Sequence, residues 1–331
     1  GVRMMPNALA LALVLAAVGC QRSAPKAALA PRPIRIACTL QPQSTLVQVA
    51  AANGFFKAEG LEADLRVVAY GKVALQALLD HQVDVATVAE TPIMFAAMRG
   101  EPFYVIANIE ASSRNNAIVA RRDAGIASVH GLKGKRVAYT PGTTSEFFLD
   151  SLLATADLPR SAIQPVPMQP EEMAPAIQAR AIDAACTWNY TLTRIKRQLG
   201  ENAILFFDQE IYTETFNLAA APDIVLKDPE TVKRFLRALV RAEAFVAQHP
   251  QDAQRIMATA TRTDLDLVRD VWDAFNYVVR LDGTLLITLE DEARWAMRNG
   301  LSSRKAIPDF RRIIHPDSLR AVKAEAGREP W

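Results

Sequence analysis

Apolar and polar positions along the chain follow two periods. Short β-branched runs predict strands, and longer stretches with apolar residues at three- and four-residue steps predict helices. Ile34–Thr39 (IRIACT) reads as a strand. "QPQST" follows, then an apolar helix over Leu46–Asn53 closed by Gly54. Thr45 and Gln48 have the spacing of a capping box. Strands are predicted at Glu62–Tyr70, Val83–Ala89 and Phe103–Ile109, with Gly71 opening a helix through Leu79. After the second of these strands, Thr91 takes the N-cap position and Pro92 the first helical position.

The pattern then restarts. Strands are predicted at Asn116–Ala120, Arg136–Thr140, Ile163–Met168 and Ile182–Thr187, with a helix from about Glu171. The segment ALLDHQVDVATVAE (77–90) lies over AIQARAIDAACTWN (176–189), matching Val83 with Ile182 and Asp84 with Asp183. Strand–helix alternation argues an α/β fold with mainly parallel sheets, and the overlay argues two similar lobes. It also puts Glu90 and Asn189 at equivalent places just past a strand's carboxyl end, the edge where open α/β sheets bind ligands. After residue 200 one more strand, Phe216–Ala220, precedes a helical region. Asp228-Pro229 caps a helix carrying Val232, Phe235, Leu236, Leu239, Val240 and Phe245 on one face. Further helical segments are expected near 251–260, 264–280 and 289–299. The mixed-charge tail after Pro308 is expected to pack loosely.

The stretch RVAYTPGTTSEFFLDSLL (136–153) places three hydroxyls where a strand turns into a helix. Thr143 and Glu146 have capping-box spacing, which accounts for one hydroxyl. A helix N-terminus also offers free N–H donors to a ligand, so both readings stand.

The N-terminal region changes the picture of where the chain works. Met4 or Met5 reads as the start, and Ala8–Val18 is an unbroken apolar run. The run is too short for an ordinary transmembrane helix but suits a signal peptide. It ends in AAVGC, which resembles a bacterial lipoprotein signal, with an ordinary secretory signal as the alternative. Residues 1–19 are thus expected to be the signal, Cys20 the lipidated residue that ties the protein to a membrane, and 20–33 a tether. Gln21 after the cysteine leans toward the outer membrane. Net charge is +2, and no basic cluster marks a nucleic-acid surface. Cys38 and Cys186 fall in different lobes and are expected to be buried free thiols. No HExxH or CxxC motif is present, and GLKGKR lacks the P-loop spacing, so neither metal nor cofactor is expected. No nucleophile–base pair or carboxylate dyad is suggested by spacing, which argues against an enzyme.

The segments NGFFKAEGLEADL, VALQALLDHQVDVATVAETPIMFAAMRG, LKGKRVAYTPGTTSEFFLDSLL, AIDAACTWNY and DPETVKRFLRALVRAEAFVAQHP occur in this order. Together they resemble the extracytoplasmic solute-binding proteins of ABC importers for nitrate, sulfonates, taurine and thiamine-precursor pyrimidines. The resemblance runs from about Ile34 to about Pro308. It implies a two-lobed periplasmic-binding-protein fold of type II, each lobe a mainly parallel sheet flanked by helices. Lobe 1 would hold 34–115, lobe 2 would hold 116–212, and 213–331 would return to lobe 1 and add C-terminal helices. Crossings are expected near Ala111–Asn116 and Glu210–Phe216. It further implies a monomer that clamps a small solute between the lobes and delivers it to an ABC permease and, through it, an ATPase.

The same resemblance directs three helix N-termini, after Thr45, Thr91 and Thr143, into the cleft. Candidate ligand-binding residues are Gln41, Ser44 and Thr45 at the first, Glu90 and Thr91 at the second, and Gly142, Thr143, Thr144 and Ser145 at the third. Arg114 and Asn115 sit at a crossing, and Trp188 and Asn189 at a lobe 2 strand end. Tyr70 and Glu214 complete the set, with surface roles competing for both. Trp188 either stacks on a planar solute or fills the core. The family often carries an acid after this tryptophan, where this chain has Asn189. A cleft carboxylate at Glu90 disfavours a simple anion unless it is paired or protonated. Arg114 is its candidate partner; alternatively the two read a solute with both an amine and an acid. A sulfonate or taurine-like solute is the leading expectation and an aminopyrimidine the alternative, while nitrate fits least. A ligand sensor or an enzyme on the same fold is a further reading. The cysteine-rich motif of related pyrimidine-biosynthesis proteins is missing.

Overall fold

The computed structural model describes residues 31–327. The signal peptide and the lipid on Cys20 lie outside the described residues, as does most of the expected tether. Its last residues, Arg32 and Pro33, already belong to the first strand.

Eleven strands form two sheets: β1 (Arg32–Thr39), β2 (Leu61–Val68), β3 (Val85–Ala89), β4 (Tyr104–Ser112), β5 (Asn116–Arg121), β6 (Arg136–Tyr139), β7 (Gln164–Pro167), β8 (Ala184–Trp188), β9 (Ala203–Phe206), β10 (Glu214–Ala220) and β11 (Asn276–Arg280). The helices are α1 (Thr45–Ala52), α2 (Phe55–Ala58), α3 (Gly71–Leu79), α4 (Glu90–Met98), α5 (Thr144–Thr155), α6 (Pro170–Gln178), α7 (Asn189–Leu199), α8 (Pro222–Lys227), α9 (Pro229–Gln248), α10 (Pro250–Thr261), α11 (Leu265–Trp272), α12 (Thr284–Arg298) and α13 (Asp317–Glu325). The first sheet has the order β2-β1-β3-β10-β4-β11 and the second β7-β6-β8-β5-β9. Each holds a parallel trio, β2-β1-β3 or β7-β6-β8, extended by antiparallel strands. The chain passes between the sheets over 113–115 and again over 207–213.

The repeat reaches single side chains. Arg35 donates from Nε and Nη2 to the two carboxylate oxygens of Asp84 at 3.3 and 3.0 Å. Arg136 does the same to Asp183 at 3.2 and 2.9 Å. Each arginine sits on the first strand of a parallel trio, and each aspartate precedes the third. The 77–90 and 176–189 segments thus occupy the same place in the two lobes, α3–β3–α4 and α6–β8–α7.

Packing follows the strand period of two. In β5, β6 and β8, residues Ile118, Val137, Ala184 and Cys186 face α5, with Phe148, Leu149, Leu152 and Leu153. Their neighbours Val119, Ala138 and Ala185 face α6 and α7, with Met173, Ile177 and Ile195. β3 is buried along its whole length, as a central strand covered on both faces must be. Asp228 caps α9 by accepting from Thr231 N, as its sequence indicates.

Several expectations are corrected. The 264–280 stretch is one helix, α11, followed by strand β11, because Asn276–Arg280 is a β-branched and aromatic run that pairs with β4. The tail after Pro308 is not loose: Phe310, Leu319 and Val322 are buried, and α13 packs on α9 with Glu325 paired to Arg237. Thr91 is not an N-cap; Ala89 holds that position, and Thr91 Oγ1 donates to Glu292 Oε1 at 2.8 Å. Thr45 and Gln48 form no capping box: Thr45 Oγ1 donates to Pro42 O, and Gln48 turns to Cys38 Sγ.

Phe310 is only 1% exposed. Phe310→Ala is therefore expected to cost about 3–5 kcal/mol of unfolding free energy in a denaturant titration. A loss within about 0.5 kcal/mol is what a loosely packed tail would give.

Candidate functional site

The carboxyl ends of the parallel strands of both lobes converge on one narrow cavity of about 20 Å³. It is lined from lobe 1 by Gln41, Gln43, Tyr70, Lys72, Glu214 and Phe216, and from lobe 2 by Thr143, Thr144 and Trp188. Six sequence candidates therefore meet here: Gln41, Tyr70, Thr143, Thr144, Trp188 and Glu214. Gly71 also lines it and opens α3 pressed on β3, where a Cβ would stand 2.9 Å from Val88 Cα.

Glu214 is the chemical centre of this space. It is 1% exposed and begins β10, at the end of the second crossing. Three side-chain amides donate to it: Gln43 at 3.2 Å and Asn115 at 2.6 Å to Oε1, and Asn116 at 3.1 Å to Oε2. Asn115 ends the first crossing and Asn116 begins β5, so one carboxyl at the end of the second crossing ties both crossings together. Burial, with the charge of Glu90 adding to it, pushes the Glu214 carboxyl up to about 8, against the amide hydrogen bonds.

Glu90 does not face the cavity. The first turn of α4 directs its carboxyl toward the second crossing, where it accepts from the Tyr212 hydroxyl and from Thr215 N at 2.9 Å. Burial raises its affinity for a proton, and Glu292, buried against it, is raised well above the ordinary carboxyl range by burial and by Glu90. Glu110 is buried with both carboxyl oxygens unpartnered and is likewise pushed well up by burial. Arg114 pairs with none of them; it is exposed and donates to the carbonyl of Asp273.

The remaining candidates surround the cavity. Ser44 bonds Thr39 and Thr87, and Thr45 is bonded to Pro42 O. Asn115 holds Glu214 and also accepts from Asn189 N at 3.1 Å. Asn189, at a φ of +34°, reaches toward Gln43 Oε1 at 3.5 Å. At α5, Ser145 Oγ accepts from Thr140 N, and Glu146 accepts from Gly142 N while pairing with Arg160, so the expected capping box is replaced by a shifted set of bonds. Gly142 takes a φ of +72°, and a Cβ there would stand 3.1 Å from Lys72 Nζ.

Gln43, Asn116, Lys72 and Phe216 were missed. Gln43 lies in the quoted QPQST run, and its position two residues from Gln41 was the available signal. Contacts between the lobes flank the cavity. The Tyr70 hydroxyl donates to Gln169, Lys72 Nζ donates to Pro141 O at 2.9 Å, and Trp295 Nε1 donates to Asp150 Oδ2 at 2.9 Å. Cys38 and Cys186 are buried and unbridged; burial pushes the Cys38 thiol up to about 12 and the Cys186 thiol well above its ordinary value. No cluster of three or more His, Cys, Asp or Glu among the described residues is arranged to hold a metal ion.

The native state keeps a proton on Glu214 that the unfolded chain loses at about 4.5, so this group's contribution falls as pH rises from about 4.5 through about 8. Glu90, Glu110 and Glu292 act in the same direction. Glu214→Gln is expected to make the fall less steep, by at most about 1.4 kcal/mol per pH unit. Urea midpoints of both proteins at mildly acidic, neutral and mildly alkaline pH measure this. Equal slopes would show that Glu214 ionises as it does in the unfolded chain.

Comparison with known proteins agrees with the resemblance read from the sequence. A model of the family described as NMT1/THI5 like matches residues 41–253, more than half of the chain. A protein of Brucella abortus, named only as a binding protein, is 27% identical over 224 residues, covering 67% of this chain and 69% of its own. Among solved structures, the periplasmic aliphatic sulphonate binding protein of Escherichia coli superposes with a TM-score of 0.75 at 19% identity, covering 86% of this chain and 92% of that one. The alkanesulfonate-binding protein of Xanthomonas axonopodis, bound to MOPS, gives 0.77 at 16% identity, covering 87% and 100%. These structures share the two-lobed α/β fold.

Proposed function

The chain belongs to the NMT1/THI5-like family, and on that premise we propose that it is an extracytoplasmic solute-binding protein for a small planar solute bearing N–H donors, of the aminopyrimidine class. The observation that carries this reading is Glu214, a buried carboxyl at the cavity with three amides holding it in place. A buried carboxyl accepts from N–H donors and, once ionised, repels anions. Lys72 is the one cationic side chain lining the cavity, and its Nζ is committed to Pro141 O. Trp188 and Tyr70, with ring centroids 6.2 Å apart, supply flat apolar faces for a heteroaromatic ring. A ring nitrogen that takes the Glu214 proton forms a charge-assisted pair with the carboxylate left behind.

On the same reading the protein works as a monomer in the periplasm, held to a membrane by a lipid on Cys20. The loaded form docks on an ABC permease with its ATPase. Binding is favoured over turnover because the two thiols among the described residues, Cys38 and Cys186, are buried and held in the protonated form. A sulfonate or taurine-like solute is the second reading, supported by Thr143 and Thr144, which bring the N-terminus of α5 to the cavity wall.

Titration calorimetry with a hydroxymethyl-aminopyrimidine, taurine and nitrate separates the two readings. The pyrimidine is expected to bind, and Glu214→Gln to weaken it about 10- to 100-fold, the worth of a hydrogen bond to a charged group. Binding of taurine alone, unaffected by Glu214→Gln, would replace the first reading with the second.

A further inference from the structure

Beyond Trp188 lies a second, outer cavity of about 280 Å³ that shares Gln41, Tyr70 and Trp188 with the inner one. Its chemistry is opposite. Arg194 from α7 and Arg262 from the turn after α10 line it, with Glu171 as the one acidic lining residue. The Arg194 guanidinium lies 5.9 Å from the Tyr190 ring centroid, and neither arginine is in an ion pair with any described residue. Arg262 adopts a φ of +50°, the region where glycine is least strained, so a long cationic side chain is kept at a position that favours none. Two buried polar atoms of its lining residues have no partner: Gln41 Oε1 and the Tyr190 hydroxyl. Both residues are only 6% exposed. Arg194 and Arg262 thus line one cavity as two cationic donors with no anionic partner among the described residues.

We infer that the outer cavity is a second subsite, for an anionic group carried by the same solute whose N–H-bearing ring occupies the inner cavity. This rests on the solute-binding reading above. Phosphate, carboxylate and sulfonate groups share the required chemistry of several acceptor oxygens and negative charge. Gln41 lines both cavities and so lies beside any solute that reaches from one to the other. Arg194 belongs to lobe 2 and Arg262 to the helices packed on lobe 1, so one anion held by both bridges the lobes. The solute is then bipolar, and the inner carboxyl and outer arginines each exclude the wrong end.

The test uses a hydroxymethyl-aminopyrimidine and its phosphate ester as a matched pair, measured by calorimetry on the full chain. The readout is the ratio of the two dissociation constants, in which any general weakening cancels. The ester is expected to bind about tenfold or more tighter than the alcohol. Arg194→Gln and Arg262→Gly should each bring the ratio toward one, Arg194→Lys should keep part of it, and added salt should reduce it. Arg262→Gly relieves the backbone, so a folding defect does not confound it. Equal binding of both probes, or weaker binding of the ester, overturns the second subsite and leaves the inner-site reading intact. If neither probe binds, the inner-site reading fails instead. Thermal stabilisation by inorganic phosphate over chloride at equal ionic strength then decides the subsite. A shift in the wild type that Arg194→Gln and Arg262→Gly abolish supports it, and no shift, or one that survives both substitutions, overturns it.

Discussion

The fold turns on one buried carboxyl at the seam between its two sheets. Glu214 begins the strand that returns the chain to lobe 1, and it is held by Asn115 and Asn116 from the segment that first left that lobe. Gln43, from the first strand–helix junction, completes the cradle. A carboxyl in this position is costly to ionise, and the three amides offset part of that cost without supplying charge. The same cradle reaches lobe 2, because Asn115 also accepts from the backbone of Asn189. A solute that changes the protonation of Glu214 therefore acts on the groups that set the angle between the lobes. On the proposed reading, ligand recognition and hinge geometry share atoms here, a direct way for binding energy to bias closure.

Closure also has support that no ligand supplies. Hydrogen bonds from Tyr70 and Lys72 cross between the lobes at the cavity rim, and Trp295 meets Phe147 and Asp150 on the far flank. Most are at or near the surface, where each is worth a fraction of a kcal/mol to about 1 kcal/mol. The arms are thus in contact without being locked. Behind the hinge, Glu90, Glu110 and Glu292 join Glu214 as buried carboxyls, and none of the four is in a described ion pair. Burial holds all four toward the protonated form, so the hinge region of lobe 1 disfavours additional negative charge.

Much of this was legible in the sequence, and the failures have physical causes. The strand–helix order, the two lobes and the matching of 77–90 with 176–189 were readable because they rest on periodicity, which is local. The overlay even matched Asp84 with Asp183, whose carboxylates make the same bonds to Arg35 and Arg136. The overlay also placed Glu90 correctly at the start of a helix after a strand. It could not say that the first turn would aim the carboxyl at Tyr212, because that direction depends on a residue 122 positions away. Glu214 was ranked low for the converse reason: its importance comes from amides 98 to 171 residues distant, and amide side chains leave no periodic trace. Strand β11 was lost in a helical reading although Asn276–Arg280 is rich in residues that suit a pleated surface.

The central claim is that the inner cavity holds a carboxyl which keeps its proton near neutral pH until a solute takes it. The direct measurement is a carbon-13 NMR titration of the carboxyl of Glu214 in the free protein, assigned by its loss in Glu214→Gln. The account predicts a midpoint at about 8, far above the ordinary 4.5. A midpoint near 4.5 would mean that the carboxyl is already ionised at neutral pH, and the account of what this cavity selects would be contradicted.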